Sequence, residues 1–271
     1  KKRTLVKVQL KLNQISQDSD AIAENIWVEV NWINYGPFGR ILLSEGFLVP
    51  LNKATQIEPA SEDFREGDGF QVLAIKTHLL GTLDTPLEIF KQYASSLVQP
   101  GDVLTIGETP LAVMQGRYRL PINIEPGWLA KLLCRAFHPT SSLATACGLQ
   151  SLIDLVGPSR VLLAWVLGVG MKSIGIKGVF YRLAGKQARL IDDITGTTPP
   201  YDQTIVLGPC FTAEICNEAA SALGVSIAIV DVNDLGKVKV VASSDCCNET
   251  LIKKALSSNP AGNANERTPL V

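Results

Sequence analysis

The segment that decides the fold is residues 204–231, which read TIVLGPCFTAEICNEAASALGVSIAIVD. Its two ends, Thr204 to Leu207 and Val225 to Val230, are apolar runs of strand length, and Thr212 to Leu223 between them has helical spacing. A strand, a helix and a second strand in this order predict a parallel βαβ unit. Asp231 follows the second strand, at the edge where open α/β sheets bind their ligands.

The first third of the chain has the pattern of half-buried strands. Thr4 to Leu12 and Ile26 to Ile33 alternate apolar and polar residues with a period of two. This alternation favours antiparallel pairing with one face in water. Phe70 to Lys76 and Asp102 to Ile106 are also predicted strands, and a helix is predicted between them from Thr85 to about Val98.

Helical patterns dominate after Gly127. The predicted helices there are Trp128 to Phe137, Ser142 to Val156, Arg160 to Met171 and Asn248 to Leu256, and the predicted strands are Ile176 to Ala184 and Lys237 to Val241. The longest apolar run, Val161 to Met171, is much shorter than the ~20 residues of a membrane span, so it is expected to be a buried helix.

These patterns predict an α+β protein with two lobes. Residues 1–126 are expected to form an antiparallel-rich lobe with one helix. Residues 127–257 are expected to form a mixed α/β lobe that contains the βαβ unit. Residues 258–271 are polar and rich in turn-forming pairs, so they are expected to be a tail.

Composition limits the classes of partner, and any basic site must be a local patch. The 271 residues carry a net charge of −1, which gives no bulk field for nucleic acid or an anionic membrane. The six cysteines have no zinc-ligand spacing and favour a reducing compartment, so a cytoplasmic location is expected. No signal peptide follows Lys1, and an anchor upstream of Lys1 is left open.

The clearest chemical pattern is a run of cations followed by paired carboxylates. Residues 155–191 contain no Asp or Glu, and Asp192 and Asp193 follow at once. Adjacent carboxylates are suitable ligands for Mg²⁺ or Mn²⁺. Lys177, Arg182 and Lys186 are the predicted phosphate ligands within the run. The alternative is an ordinary turn, because Asp and Gly are common turn residues.

Two further carboxylates and one arginine are secondary candidates. Asp231 is a possible metal or ribose ligand, although a tight turn between strands explains it slightly better. Glu108 ends a predicted strand and is a possible metal ligand, and Arg117 is a possible anion ligand nine residues later. A solvated strand end is the simpler interpretation of Glu108. No arrangement of a nucleophile with a base is evident, so the catalytic residues are unknown.

Residues 86–117 resemble a known family. Pro86-Leu87-Glu88-Ile89, then Gln99 to Ile106, then Gln115-Gly116-Arg117 are similar to the coenzyme F-420 gamma-glutamyl ligases. That family has a helix, a Gly-Asp step, a buried strand and a Ser-Lys-x-Glu-Gly-Arg motif. The Gly-Arg is present here at Gly116 and Arg117, whereas Val113, Met114 and Gln115 stand near the other motif positions.

The resemblance implies an unusual α+β topology and an intertwined homodimer. It also implies GTP as a co-substrate, Mg²⁺ or Mn²⁺ at the phosphates, and amide formation through an acyl phosphate. The rival interpretation is a non-catalytic protein of the same fold that binds a phosphate-bearing metabolite. A structural assembly module is a third possibility.

Overall fold

The computed structural model describes residues 24–37, 39–51, 64–67, 69–139, 141–193, 199–232, 236–245, 247–262 and 266–271. The predicted strand from Thr4 to Leu12 lies outside these residues. The described residues confirm the α+β class. The strands are β1 (Asn25–Gly36), β2 (Gly39–Pro50), β3 (Arg65–Gly67), β4 (Phe70–Val72), β5 (Val103–Gly107), β6 (Tyr118–Arg119), β7 (Asp192–Asp193), β8 (Ile205–Val206), β9 (Ser226–Val232) and β10 (Val238–Ser243).

The helices follow the predicted order along most of the chain. They are α1 (Pro86–Ala94), α2 (Glu108–Met114), α3 (Trp128–Leu133), α4 (Ala146–Val156), α5 (Pro158–Ser173), α6 (Val179–Ala184), α7 (Thr212–Leu223) and α8 (Glu249–Ala255), with short 3-10 turns between several of them. Several have the expected start signals. Pro86 and Pro158 occupy first turns, and the Asn248 side chain accepts from the amides of Thr250 and Leu251.

The central sheet has the order β10-β9-β5, with β5 and β9 parallel and β9 and β10 antiparallel. Its residues are sorted by the period-two alternation of strands. Ile227 and Ile229 of β9 face a core that includes residues of α1 and α7, whereas Ala228 and Val230 face α8. The sheet is therefore covered by helices on both faces, and it draws strands from both predicted lobes.

The predicted βαβ unit at residues 204–230 is wrong in its pairing. The helix and both strands form, but β8 pairs antiparallel with β6 and β7 in a separate small sheet. The parallel partner of β9 is β5, which lies more than a hundred residues earlier in the chain. A local strand–helix–strand pattern predicts the elements, but it does not reveal a competing partner elsewhere in the sequence.

Two predictions between α4 and β7 are also corrected. The segment predicted as a strand over 176–184 contains α6, whose Phe180 and Ala184 are buried in the helical core. The apolar run of α5 was expected to be buried, but only Val161 and Ala164 of this helix are. Gly157, with φ +89°, bends the chain by 114° between α4 and α5, which leaves most of α5 at the surface.

The predicted polar tail is wrong for residues 266–271. Leu270 is completely buried and bridges Ile75 on one side and Ile106 of β5 on the other. Thr105 and Val271 form two backbone hydrogen bonds, in which the amide of each donates to the carbonyl of the other. The Gly107 amide donates to the Pro269 carbonyl. The chain end therefore satisfies the edge of β5 that β9 leaves free.

A Leu270→Ala substitution is expected to destabilise the protein by roughly 2–5 kcal/mol, because it leaves a cavity between Ile75 and β5. Leu132→Ala on α3 is the matched control, since Leu132 is 58% exposed. Its expected cost is within ~0.5 kcal/mol. Urea unfolding of the two variants measures both effects. Equal costs would contradict the buried position of the chain end.

Candidate functional site

The candidate site begins at the edge of the sheet where β5 ends beside β9, which continues for two more residues. Gly107, the last residue of β5, pairs with Val230 of β9. The next residue in each chain segment is a carboxylate, Glu108 in one and Asp231 in the other. Parallel strands point their carboxyl ends to the same edge, which is the usual ligand position in such sheets. Asp231 is the residue before the last one of β9, close to its predicted position, and Glu108 directly after β5 is a second acid at this edge.

A lysine from the third strand completes this edge. Lys239 of β10 is the register partner of Asp231, and its Nζ lies 3.6 Å from Asp231 Oδ2. Both side chains are nearly half exposed, so this ion pair adds little stability by itself. Its importance is its position: an ammonium group stands beside two carboxylates at a strand end.

Burial makes Glu108 the unusual member of the group. Glu108 is the first residue of α2, and it is 9% exposed. Burial raises the pKa of Glu108 to about 8; the Lys239 charge opposes the rise, and the charges of Asp231 and Asp192 add to it. At neutral pH Glu108 is therefore mostly protonated. A positive charge beside it would favour its ionised form.

Asp192 reaches the same electrostatic neighbourhood from the small sheet. It lies in β7, is exposed, and its Oδ1 accepts from Ser142 Oγ at 3.4 Å. Its charge is one of those that raise the pKa of Glu108. The main chain of Asp193 continues β7 opposite Ile205. Asp192 and Asp231 thus both act electrostatically on Glu108. These residues are three of the four predicted metal ligands.

The carboxylates fit a hard divalent cation in their chemistry. They offer the oxygen donors that Mg²⁺ and Mn²⁺ prefer. Among the described residues, however, no three acidic, histidine or cysteine side chains are arranged closely enough to hold a metal ion. The remainder of both acidic turns, residues 194–198 and 233–235, lies outside those residues. The observed feature is a shared acidic field around a buried carboxyl group.

The predicted anion ligands occupy different surroundings. Arg117 is half-buried; its Nε donates to the Gly208 carbonyl and its Nη2 to Gln187 Oε1 at 3.3 Å. These bonds tie the segment after α2 to the loop after β8. Lys177, Arg182 and Lys186 are exposed, and Arg182 Nη2 donates to the Lys177 carbonyl at 3.4 Å. The charges that shift the pKa of Glu108 are not theirs.

Lys239 is a residue of the candidate site that was not predicted from the sequence. It lies eight residues after Asp231 on β10, which pairs antiparallel with β9, and the sequence between these strands contains Asn, Asp and Gly. A turn of that composition predicts a hairpin, and the hairpin register puts Lys239 across from Asp231. The hairpin could therefore have been predicted from the sequence, and with it the position of Lys239 beside Asp231.

The structure also holds a buried polar group around His78. His78 Nδ1 lies 2.6 Å from the Tyr93 hydroxyl, and His78 Nε2 lies 3.1 Å from Asp84 Oδ2. Asp84 Oδ2 also accepts from the Gly81 amide. All three side chains are almost fully buried. They join the loop before α1 to α1 itself, which is a structural role.

A cleft of about 290 Å³ lies away from these groups. Its lining includes Arg65, Lys76 and Glu266, and it contains none of the predicted site residues. The strand-end group therefore remains the better candidate, since it combines a buried carboxyl group with converging charges.

The N-terminal segment matches a known domain. Residues 1–53 match the family model described as F420-0:gamma-glutamyl ligase, N-terminal Ig-like domain. The part of this segment that the structure describes contains the β1–β2 hairpin. The match confirms the resemblance to the gamma-glutamyl ligases, and it involves a segment separate from residues 86–117. No curated protein matches the chain.

Replacement of Glu108 by Gln is expected to change how stability depends on pH. The folded pKa is raised, so Glu108 favours folding below about pH 4.5, and this contribution is lost as the pH rises through about 8. The shift corresponds to roughly 3–5 kcal/mol. Glu108→Gln should therefore gain stability relative to the wild type between pH 5 and about pH 8.5.

Urea unfolding at these two pH values measures the difference. Glu218→Gln, on the exposed side of α7, is the matched control and should differ equally from the wild type at both. A pH-independent difference for Glu108→Gln would show that the carboxyl group ionises normally.

Proposed function

We propose that this protein is a divergent gamma-glutamyl ligase-like enzyme that forms an amide bond in a reaction dependent on a nucleotide and a divalent metal. The observation that carries the proposal is the buried Glu108 at the ends of two parallel strands, next to Asp231 and Lys239 and within the field of Asp192. The match of residues 1–53 to the N-terminal domain of such ligases supports the same class.

The residues suit a phosphoryl transfer to a carboxylate. In the proposed reaction a substrate carboxylate oxygen attacks the terminal phosphorus of GTP and GDP leaves. An amine then attacks the acyl phosphate carbon and releases inorganic phosphate. Both steps gather negative charge on phosphoryl oxygens, so cations must be fixed beside them. Lys239 supplies a charge from this chain at the required edge.

The carboxylates have a separate role in the proposal. Asp192, Asp193, Asp231 and Glu108 would hold Mg²⁺ or Mn²⁺, which supplies charge neutralisation at the phosphates when bound. Glu108 must lose its proton to become a ligand, so metal binding would release a proton near neutral pH. In the proposal Arg117 acts on the anion indirectly, by fixing the loop that carries Gly208.

A non-catalytic binding protein of the same fold is the second candidate, and one observation favours it. Three residues stand near the positions where the family motif has Ser-Lys and Glu, and their side chains take part in the fold. Val113 and Met114 are buried, and the Gln115 side chain both donates to and accepts from the backbone of Cys210. These three side chains are therefore committed to the fold, and the ammonium group must come from elsewhere in the chain.

A homodimer, as the resemblance implies, is also part of the proposal. Light scattering coupled to size-exclusion chromatography tests it directly.

Removal of Asp192 and Asp193 together is expected to weaken metal-dependent nucleotide binding at least tenfold, because two oxygen donors are lost. Thermal shift and calorimetry with GTP and ATP, each with and without Mn²⁺, measure the effect, since a ligand that binds the folded state raises the melting temperature. Asp245→Asn, at an exposed turn, is the control. Unchanged metal-dependent affinity in Asp192→Ala/Asp193→Ala would refute the metal assignment.

Replacement of Lys239 by Met is expected to reduce nucleotide affinity by roughly tenfold or more, which is the usual size of a lost charged hydrogen bond. Lys253→Met is the matched control, since Lys253 is exposed and pairs only locally with Glu249 at 2.9 Å. Release of inorganic phosphate with a glutamate acceptor then separates the two candidates. Turnover supports the ligase, and nucleotide binding without turnover supports the binding protein.

A further inference from the structure

Helix α5 presents an apolar face to solvent. Leu162, Leu163, Val166, Leu167 and Val169 are 41–60% exposed, and they occupy a broad sector of the helix outside the narrow side on which Val161 and Ala164 are buried. We refer to these five exposed residues as the α5 face. A contiguous exposed apolar surface of this kind marks a contact with a partner or a membrane.

The apolar surface continues beyond the end of the helix. Ile174 is 68% exposed and Ile176 is 40% exposed in the connection to α6, and Leu183 of α6 is also exposed. This connection carries glycines at 175 and 178, both with positive φ, so it turns sharply next to the helix. The exposed aliphatic groups therefore occur on two consecutive helices and on the segment that joins them.

The charges within this segment of the chain all have one sign. Residues 155–191 contain no Asp or Glu. Arg160 is exposed in the first turn of α5, and five further exposed cations, Lys172, Lys177, Arg182, Lys186 and Arg189, follow the α5 face along the chain. Within the part of the chain that the structure describes, none of these five has a carboxylate partner at ion-pair distance. We refer to them as the basic rim.

From this arrangement we propose that the α5 face and the basic rim bind the surface of an anionic lipid bilayer. Exposed apolar side chains beside lysine and arginine are suited to the interface of an anionic membrane, and the side of α5 that faces away from solvent packs against the protein. Aliphatic side chains enter the region between headgroups and acyl chains, and the cations contact lipid phosphates. This inference does not depend on the proposed ligase activity.

The geometry favours lying on the bilayer over crossing it. No single described helix is long and apolar enough to span a membrane; α4 and α5 together pass the length and composition test, but with a bend of 114° between them. Leu149 and Leu152 of α4 are completely buried in the helical core. Helix α4 is thus packed into the protein core, and of the two helices α5 is the one with an apolar face exposed to lipid.

The sign of the charge also favours lipid over a second copy of the chain. A two-fold contact through the α5 face places the same patch against itself. The basic rims of both copies would then lie near one another, and residues 155–191 provide no acid to offset them. An anionic bilayer supplies the missing negative charge.

Vesicle sedimentation tests the proposal with the full chain. Vesicles of mixed phosphatidylcholine and phosphatidylglycerol are compared with vesicles of phosphatidylcholine alone. The wild type should bind the mixed vesicles at least tenfold more tightly, and salt should weaken that binding. Leu163→Glu/Leu167→Glu should lose at least tenfold, and Lys172→Gln/Lys177→Gln/Arg182→Gln roughly a hundredfold.

Leu132→Glu, on the exposed side of α3, is the matched control and should bind as the wild type does. All substituted positions are exposed, so circular dichroism melts should show folded variants. Failure to bind the mixed vesicles, or equal binding to both kinds, would overturn the proposal. So would a mass measurement in which Leu163→Glu/Leu167→Glu converts a dimer to a monomer, since a second copy would then cover this face.

Discussion

The register between β5 and β9 is the constraint on which the rest of the site depends. It pairs Gly107 with Val230, and so it brings Glu108 and Asp231 to one edge of the sheet. A slip of one residue would exchange the two faces of β9 and turn Ile227 and Ile229 away from α1 and α7. The register is therefore fixed by core packing, and the carboxylates are positioned as a consequence of it.

Burial of Glu108 opposes stability, which makes its position informative. An ionised carboxyl group in an apolar site costs far more than the same group in water, and the raised pKa reflects that cost. The neighbouring Asp231 and Asp192 increase it, and Lys239 relieves only part. A protein selected for stability alone would have no reason to retain two acids near a buried third one. Ionisable groups whose pKa is strongly shifted by burial and neighbouring charges are concentrated at functional sites.

The sequence predicts local elements well and long-range partners poorly. Helix α7 has the predicted bounds, Thr212–Leu223, because its spacing and the Gly224 after it agree. The sequence predicts a strand where α6 forms, because Val179, Phe180 and Tyr181 have high strand propensity. Packing against α5 overrides this propensity. The buried chain end was hidden by its polar composition, since Leu270 is a single apolar residue among turn formers. Parallel pairing of β5 with β9 leaves no local signal.

Proximity along the chain and proximity in the fold group the charged residues differently. The cations of residues 155–191 precede Asp192 directly, so the sequence favoured one combined site for cations and carboxylates. In the structure the ammonium group beside Asp231 is Lys239, from a different strand, while Lys177 and Arg182 lie by the exposed apolar helix. A sheet joins residues that are far apart in sequence, whereas a helix and the segment after it keep neighbours together on one surface. The carboxylates belong to the first kind of arrangement and the basic rim to the second.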